Sequence, residues 1–237
     1  MADSSRIVLI TGASRGLGER LALHFAQKGY DLILTARSEE KLKSVAEAAS
    51  AFGVRAVAIP VDLRSPSSLR DLANRLAGER IEVDILLHNA ADVTSKPFLE
   101  TELEEIDSLV RTNVIGMLQL TRLLAPSLAR HRKGIVIMIS SLAGYKTNPS
   151  QTVYSISKAA VNAAADALAA ELGPQGIHVM KVALPTIGES PGAVPFEQYT
   201  RRLDRAIARR ESEVFLTFSS AWLMRLYRAF PSLKRLL

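Results

Sequence analysis

Tyr154-Ser155-Ile156-Ser157-Lys158 sets a phenol and an ammonium four residues apart. On a helix, positions i and i+4 share a face, so the two polar ends would sit one turn from each other. A free tyrosine titrates near 10, too high for work at neutral pH. A cation about 4 Å away, in an effective dielectric of about 20, is worth roughly 4 kcal/mol, or about three pKa units. That brings a phenol within reach of general acid–base work. The spacing is common by chance, so it gains meaning only beside other features.

A second candidate is the loop Thr11-Gly12-Ala13-Ser14-Arg15-Gly16-Leu17-Gly18. Its three glycines allow a tight turn, close backbone approach to a pyrophosphate, and close packing of a following helix. The N–H groups and positive dipole end of that helix would then face phosphate. A third is Arg37, just past the next apolar run. A carboxylate there would bind the ribose 2′-OH of a dinucleotide. The run instead ends Thr35-Ala36-Arg37. Arg37 and Arg15 suit a 2′-phosphate, held by charge-assisted hydrogen bonds; the bland alternative is two solvated surface arginines.

These residues need a scaffold, and the chain supplies an alternating one. Ile7-Val8-Leu9-Ile10 is a continuous apolar run ending before glycine, as in a buried parallel strand. Leu17, Leu21, Phe25 and Ala26 then form a helical stripe that stops before Gly29. The cycle repeats, with strands predicted at 31–36, 56–61, 83–88, 134–140 and 177–184, and a weaker seventh at 214–218. Helices are predicted after a Ser38 cap and near 66–76, 102–129 and 152–172. Strands alternating with helices imply right-handed crossovers. The fold class is therefore α/β: a single doubly wound domain over 1–237, with a parallel sheet of about seven strands and helices on both faces. Residues 185–195, where Pro, Gly and small residues cluster, read as linker-like.

Composition narrows the class. The 237 residues are 48% hydrophobic and 23% charged, an ordinary globular balance, and contain no cysteine. Disulfides, thiol nucleophiles and thiolate metal sites are excluded. His24, His88, His131 and His178 show no metal-ligand spacing, so no metal is expected. No apolar run approaches the roughly 20 residues of a membrane span, and no signal peptide is read at the N-terminus, so a cytoplasmic protein is expected. The net charge of +6 resides in residues 199–237, which carry nine bases and three acids.

The order and spacing of the Gly-rich loop, Val61-Asp62-Leu63, His88-Asn89-Ala90-Ala91, Thr112-Asn113-Val114, Ser140-Ser141 and Tyr154-Ser-Ile-Ser-Lys158 resemble the short-chain dehydrogenase/reductases, over roughly residues 6–190. The resemblance implies a role for each matching residue. Ser141 would hold a substrate oxygen and Tyr154 would exchange a proton with it. Lys158 would lower the Tyr154 pKa and bind the nicotinamide ribose. Asn113 would anchor a proton-relay water from mid-helix. Gly12, Ser14, Arg15, Gly16, Leu17 and Gly18 would form the phosphate loop. Asp62 would meet the adenine edge with Leu63 beside it, and Asn89 and Ala90 would border the adenine-side ribose, with Ala91 next to them. Pro185 and Ile187 would flank the nicotinamide side. Ser14, Arg15 and Arg37 match the NADP-preferring pattern, so NADP(H) is the implied cofactor.

The chain also departs from that family. His88-Asn89-Ala90-Ala91 replaces the usual Asn-Asn-Ala-Gly, Pro185-Thr186 replaces Pro-Gly, and Ser190 stands where Thr is usual. The usual Val-Asp-Gly-Gly ending is absent from a divergent segment, 190–237, and because only about 25 residues separate Ser190 from the last predicted strand, a short substrate lid is expected. There Trp222, Leu223, Leu226, Phe230 and Leu233 fall at helical spacing among Arg225, Arg228, Lys234 and Arg235. A helix packed on its own body or on a partner subunit, in a homo-oligomer, ranks ahead of an anionic membrane surface. Nucleic acid is not an expected partner. The resemblance implies an NADP(H)-dependent oxidoreductase interconverting a carbonyl and a secondary alcohol, on a small and lipophilic substrate. The alternative is a cofactor-binding sensor or scaffold. The Asn113, Ser141, Tyr154 and Lys158 set favours the enzyme, since a scaffold has no use for it.

Overall fold

A computed structural model describes residues 6–185, 193–217 and Trp222. Seven strands form one sheet: β1 Ile7–Thr11, β2 Asp31–Ala36, β3 Ala56–Pro60, β4 Ile85–His88, β5 Ile135–Ser141, β6 His178–Leu184 and β7 Glu213–Phe215. Their order is β3-β2-β1-β4-β5-β6-β7, and every pairing is parallel. The helices are α1 Gly16–Gln27, α2 Glu39–Ser50, α3 Pro66–Gly78, α4 Leu103–Val110, α5 Gly116–Ala129, α6 Thr152–Leu172 and α7 Phe196–Arg209. None of them is long and apolar enough to cross a membrane.

Side chains alternate across each strand, and the sheet therefore has two cores. Val8 and Ile10 pack with Leu21 and Phe25 of α1, Leu42 of α2 and Leu203 of α7. Leu9, between them in sequence, faces the other way, toward Leu72 of α3, Leu120 of α5 and Val161 of α6. The order of strand addition reverses at β1, which pairs with β2 on one side and β4 on the other. The carboxyl ends of strands at such a switch point leave a crevice.

Three elements differ from the sequence reading. The stretch predicted as one helix over 102–129 is two helices joined by a π-helical turn, Arg111–Ile115, with Asn113 buried inside it. The strong apolar periodicity of both halves hides the one extra residue per turn. Helix α7 was not foreseen; its buried Tyr199, Leu203 and Ala206 are interleaved with many charges. Ser38 does occupy the N-cap position of α2, but its side chain makes no capping hydrogen bond. Thr186, Ile187, Ser190 and the tail after Trp222 lie outside the described residues.

Candidate active site

The site begins where β1 ends. Thr11 is 1% exposed, and its hydroxyl oxygen accepts from the backbone N–H groups of Asn89 (3.1 Å) and Ala90 (3.1 Å) at the end of β4. Asn89 returns the tie, its amide donating to the carbonyls of Thr11 (3.1 Å) and Gly12 (3.2 Å). The Gly-rich loop is thereby fixed against the neighbouring strand. Gly12 has φ +67°, and a Cβ there would meet Ala90 Cα at 2.7 Å. At Gly18 a Cβ would come within 2.1 Å of the Gly12 carbonyl oxygen. Any side chain at either place would force the loop away from β4 or α1 from the loop. Gly16 opens α1.

The crevice above these strand ends is a cleft of about 610 Å³. Of the residues proposed from sequence, Gly12, Ser14, Arg15, Leu17, Gly18, Arg37, Asp62, Leu63, Asn89, Ala90, Ala91, Ser141, Tyr154, Lys158 and Pro185 all line it. Gly16 and Asn113 do not.

At one end stand the acid–base groups. Ser141 ends β5; its Oγ accepts from the Ala143 N–H (3.1 Å), and its hydroxyl acts on the Tyr154 phenol across the cleft. Tyr154 and Lys158 lie on the cleft-facing side of α6, as the i, i+4 spacing requires. Lys158 is 3% exposed, and Nζ donates to the Ile139 carbonyl at 2.8 Å. Burial pulls it down to about 8.

The Tyr154 pKa is raised, against the sequence expectation. Burial is the larger effect and outweighs the hydrogen bond with Ser141, which acts to lower it. The ammonium stands over the ring face, 5.7 Å from its centroid, and burial and Ser141, not Lys158, are what shift the phenol.

Asn113 sits behind this end. Its Oδ1 accepts from the Asp92 N–H (2.7 Å), while Nδ2 donates to the Asp92 carbonyl (2.9 Å) and to Ser157 Oγ (3.0 Å). Ser157 in turn donates to the Tyr154 carbonyl at 2.7 Å. The asparagine side chain thus joins the loop after β4 to the second turn of α6. The π-helical turn gives it that reach.

The other end is basic. Arg15 and Arg37 line it together with Lys41 and Ser38. Asp62 faces the same space, but its carboxylate is already held by Arg64, whose Nη2 lies 2.7 Å from Oδ2 and Nε 3.0 Å from Oδ1. Arg64 keeps the Asp62 pKa below its ordinary value against the opposing effect of burial.

Sequence reasoning missed Thr11 as the hub of the loop, Asp92 and Thr112 in the wall, and Lys41 at the basic end. Lys41 had a readable signal: a base in the first turn of α2, where the helix dipole favours acids such as Glu39 and Glu40. Among the described residues, no group of three or more His, Cys, Asp or Glu side chains is placed to hold a metal ion. The Gly-rich cradle, the cations at one end and the hydroxyls at the other fit a phosphorylated dinucleotide.

Comparison with known proteins agrees with this geometry. Residues 6–195 match the short chain dehydrogenase family. The chain is 36% identical over 179 residues to the ketoacyl reductase HetN of a Nostoc species, covering 76% of this chain and 62% of that protein. It is 35% identical to a very-long-chain 3-oxoacyl-CoA reductase of Podospora anserina, covering 73% of this chain and 52% of that one. The chain thus spans about half to three-fifths of the length of these relatives. Among solved structures, a short-chain dehydrogenase from Sphingobium yanoikuyae in complex with NADPH superimposes with a TM-score of 0.85 at 28% identity, covering 96% of this chain and 94% of that one. The bulky-bulky ketone specific alcohol dehydrogenase from Comamonas testosteroni gives 0.83 at 28% identity, covering 98% and 94%. Sequence match, sheet order and cleft coincide, and the chain belongs to the short chain dehydrogenase family.

Proposed function

We propose that the chain is an NADP(H)-dependent oxidoreductase that interconverts a carbonyl and a secondary alcohol, with Tyr154 as general acid and base. The observation that carries this reading is the meeting of Ser141, Tyr154 and Lys158 at one end of a cleft whose other end is a Gly-rich cradle flanked by Arg15, Arg37 and Lys41. When bound, the nicotinamide supplies or accepts the hydride. Ser141 and Tyr154 would hold the substrate oxygen between their hydroxyls. A phenol kept protonated by burial is a proton donor, which supports the reductive direction: Tyr154 gives its proton to the oxygen as the carbonyl becomes an alcohol. Lys158, charged below about pH 8, offers N–H donors to the ribose hydroxyls. Arg15, Arg37 and Lys41 would pair with a 2′-phosphate, and Gly12, Ser14 and Gly18 with the pyrophosphate.

The substrate class we favour is a ketone bearing a long or bulky apolar group. The names of the Nostoc, Podospora and Comamonas relatives support it, since they concern ketoacyl chains and bulky ketones. The test is NADPH consumption by the purified protein with a ketone panel from small aliphatic compounds to long-chain 3-oxoacyl thioesters. Turnover that improves with apolar bulk is expected. No turnover with any member, despite tight NADPH binding, would overturn the reading in favour of a cofactor-binding sensor.

A further inference from the structure

The residue after the Ser141 turn is tied to the last strand of the sheet. Tyr145 is buried, and its hydroxyl donates to Glu213 Oε1 at 2.6 Å. Its ring also packs on Phe215, centroids 5.5 Å apart. Both partners belong to β7, which lies in the segment where this chain departs from its family. Glu213 is itself anchored. Lys181, its register partner on β6, is 3% exposed at its side chain and places Nζ 3.6 Å from the same Oε1 and 2.5 Å from Asp166 of α6. A buried ammonium with two carboxylates resists displacement, because freeing either partner would leave charge poorly compensated.

We infer that the Lys181–Glu213–Tyr145 chain is a positioning device for Ser141, the residue assigned above to the substrate oxygen. The turn between Ser141 and Tyr145 has further restraints, among them a long hydrogen bond from Asn162 Nδ2 of α6 to the Gly144 carbonyl (3.4 Å). Its Ala143 N–H donates to Ser141 Oγ, which sets the hydroxyl's direction only while the turn keeps its shape. On the inner side Gly144 lies so close to α6 that a Cβ would meet the Lys158 carbonyl oxygen at 2.7 Å. The α6 contact stops the turn from moving inward. The Tyr145 hydroxyl and ring hold it from the β7 side. Without them the turn is left to the long Asn162–Gly144 hydrogen bond, and Ser141 is freer to shift relative to Tyr154. Neither Glu213 nor Tyr145 is among the residues that line the cleft, so they act through Ser141.

This inference rests on the proposed oxidoreductase reading, and the test separates the two. Tyr145→Phe keeps the ring contact and loses only the hydroxyl. It should lower kcat about tenfold, since small misplacements of a reacting group are costly, with the NADPH dissociation constant within about twofold of wild type by protein fluorescence. Glu213→Ala should do the same, and Glu213→Gln, which retains an acceptor for the hydroxyl, should restore most of the activity. In a Ser141→Ala background, Tyr145→Phe should add no further loss. Hydrogen exchange at the Ala143 to Tyr145 amides, read without substrate, should quicken in Tyr145→Phe. Unchanged exchange with unchanged kcat would overturn the inference, as would losses that simply add in the Ser141→Ala background. Faster exchange in a protein whose wild type turns over no ketone would leave the tether standing and remove the oxidoreductase reading instead.

Discussion

Lys158 Nζ lies over the face of the Tyr154 ring, 5.7 Å from its centroid, and gives a hydrogen bond to the Ile139 carbonyl (2.8 Å). The two residues share a helix face, as their spacing dictates, yet burial acts on both in opposite directions: the phenol is pushed up and the ammonium down to about 8. The neutral form is favoured in each case because both leave water.

Tyr154→Phe removes the acid proposed to protonate the substrate oxygen and keeps the ring. Turnover should fall by about 10²–10⁴-fold, with cofactor binding largely retained. Steady-state kinetics and a binding titration check it; activity within about threefold of wild type would remove Tyr154 from the role.

Lys158→Met should stabilise the fold while abolishing turnover. Lys158 titrates at about 8 in the fold against 10.5 when free, so the unfolded chain binds more protons between those values. The cost of burying the charge is therefore fully present below pH 8 and fades as pH rises toward 10.5. The difference amounts to roughly 3 kcal/mol, less what the Ile139 carbonyl loses without its donor. A rise of roughly 5 °C in Tm at pH 7 is expected, shrinking at pH 10. Calorimetry at the two pH values decides it; a lower Tm at pH 7 counts against the argument.

Arg15, Arg37 and Lys41 should set cofactor choice. Charge-assisted hydrogen bonds are each worth roughly 1.5–3 kcal/mol, so NADPH should bind at least about 30-fold more tightly than NADH. Arg37→Ala should erode that preference by weakening NADPH alone, and Lys41→Ala should do so to a smaller extent. Equal dissociation constants for the two nucleotides in the wild type would refute the clamp.

His88 should make the protein acid-sensitive. It is 4% exposed; Nε2 meets Thr121 Oγ1 at 2.8 Å, and Nδ1 has no partner among the described residues. Burial pulls its pKa to about 3 from 6.5. The unfolded chain therefore takes up a proton that the fold refuses as pH drops below 6.5. Stability should fall by about 1.4 kcal/mol per pH unit from there toward pH 3. Urea unfolding of wild type and His88→Asn at pH 7 and 5 tests this: the variant should lose less between the two pH values. Parallel losses would exclude His88 as the source.

The alternation of strands and helices, the Gly-rich turn and the shared face of Tyr154 and Lys158 were legible in the sequence, because each depends on a short-range period or on one residue's own stereochemistry. Gly12 and Gly18 stand where a Cβ would strike the backbone of Ala90 or Gly12, and Val8, Leu9 and Ile10 sort to their two cores by parity alone. The rest required distant segments to meet. Asn113 reaches Asp92 and Ser157 only because a π-helical turn rotates it there, and its helical periodicity is otherwise indistinguishable from that of a regular helix. Lys41 joins the basic end of the cleft through the angle of α2. Tyr145 meets Glu213 across 68 residues of sequence. The direction of the Tyr154 shift also follows from the tertiary structure, since a pKa reflects how much water the fold removes and where it holds the nearest charge, and neither is a property of spacing along the chain.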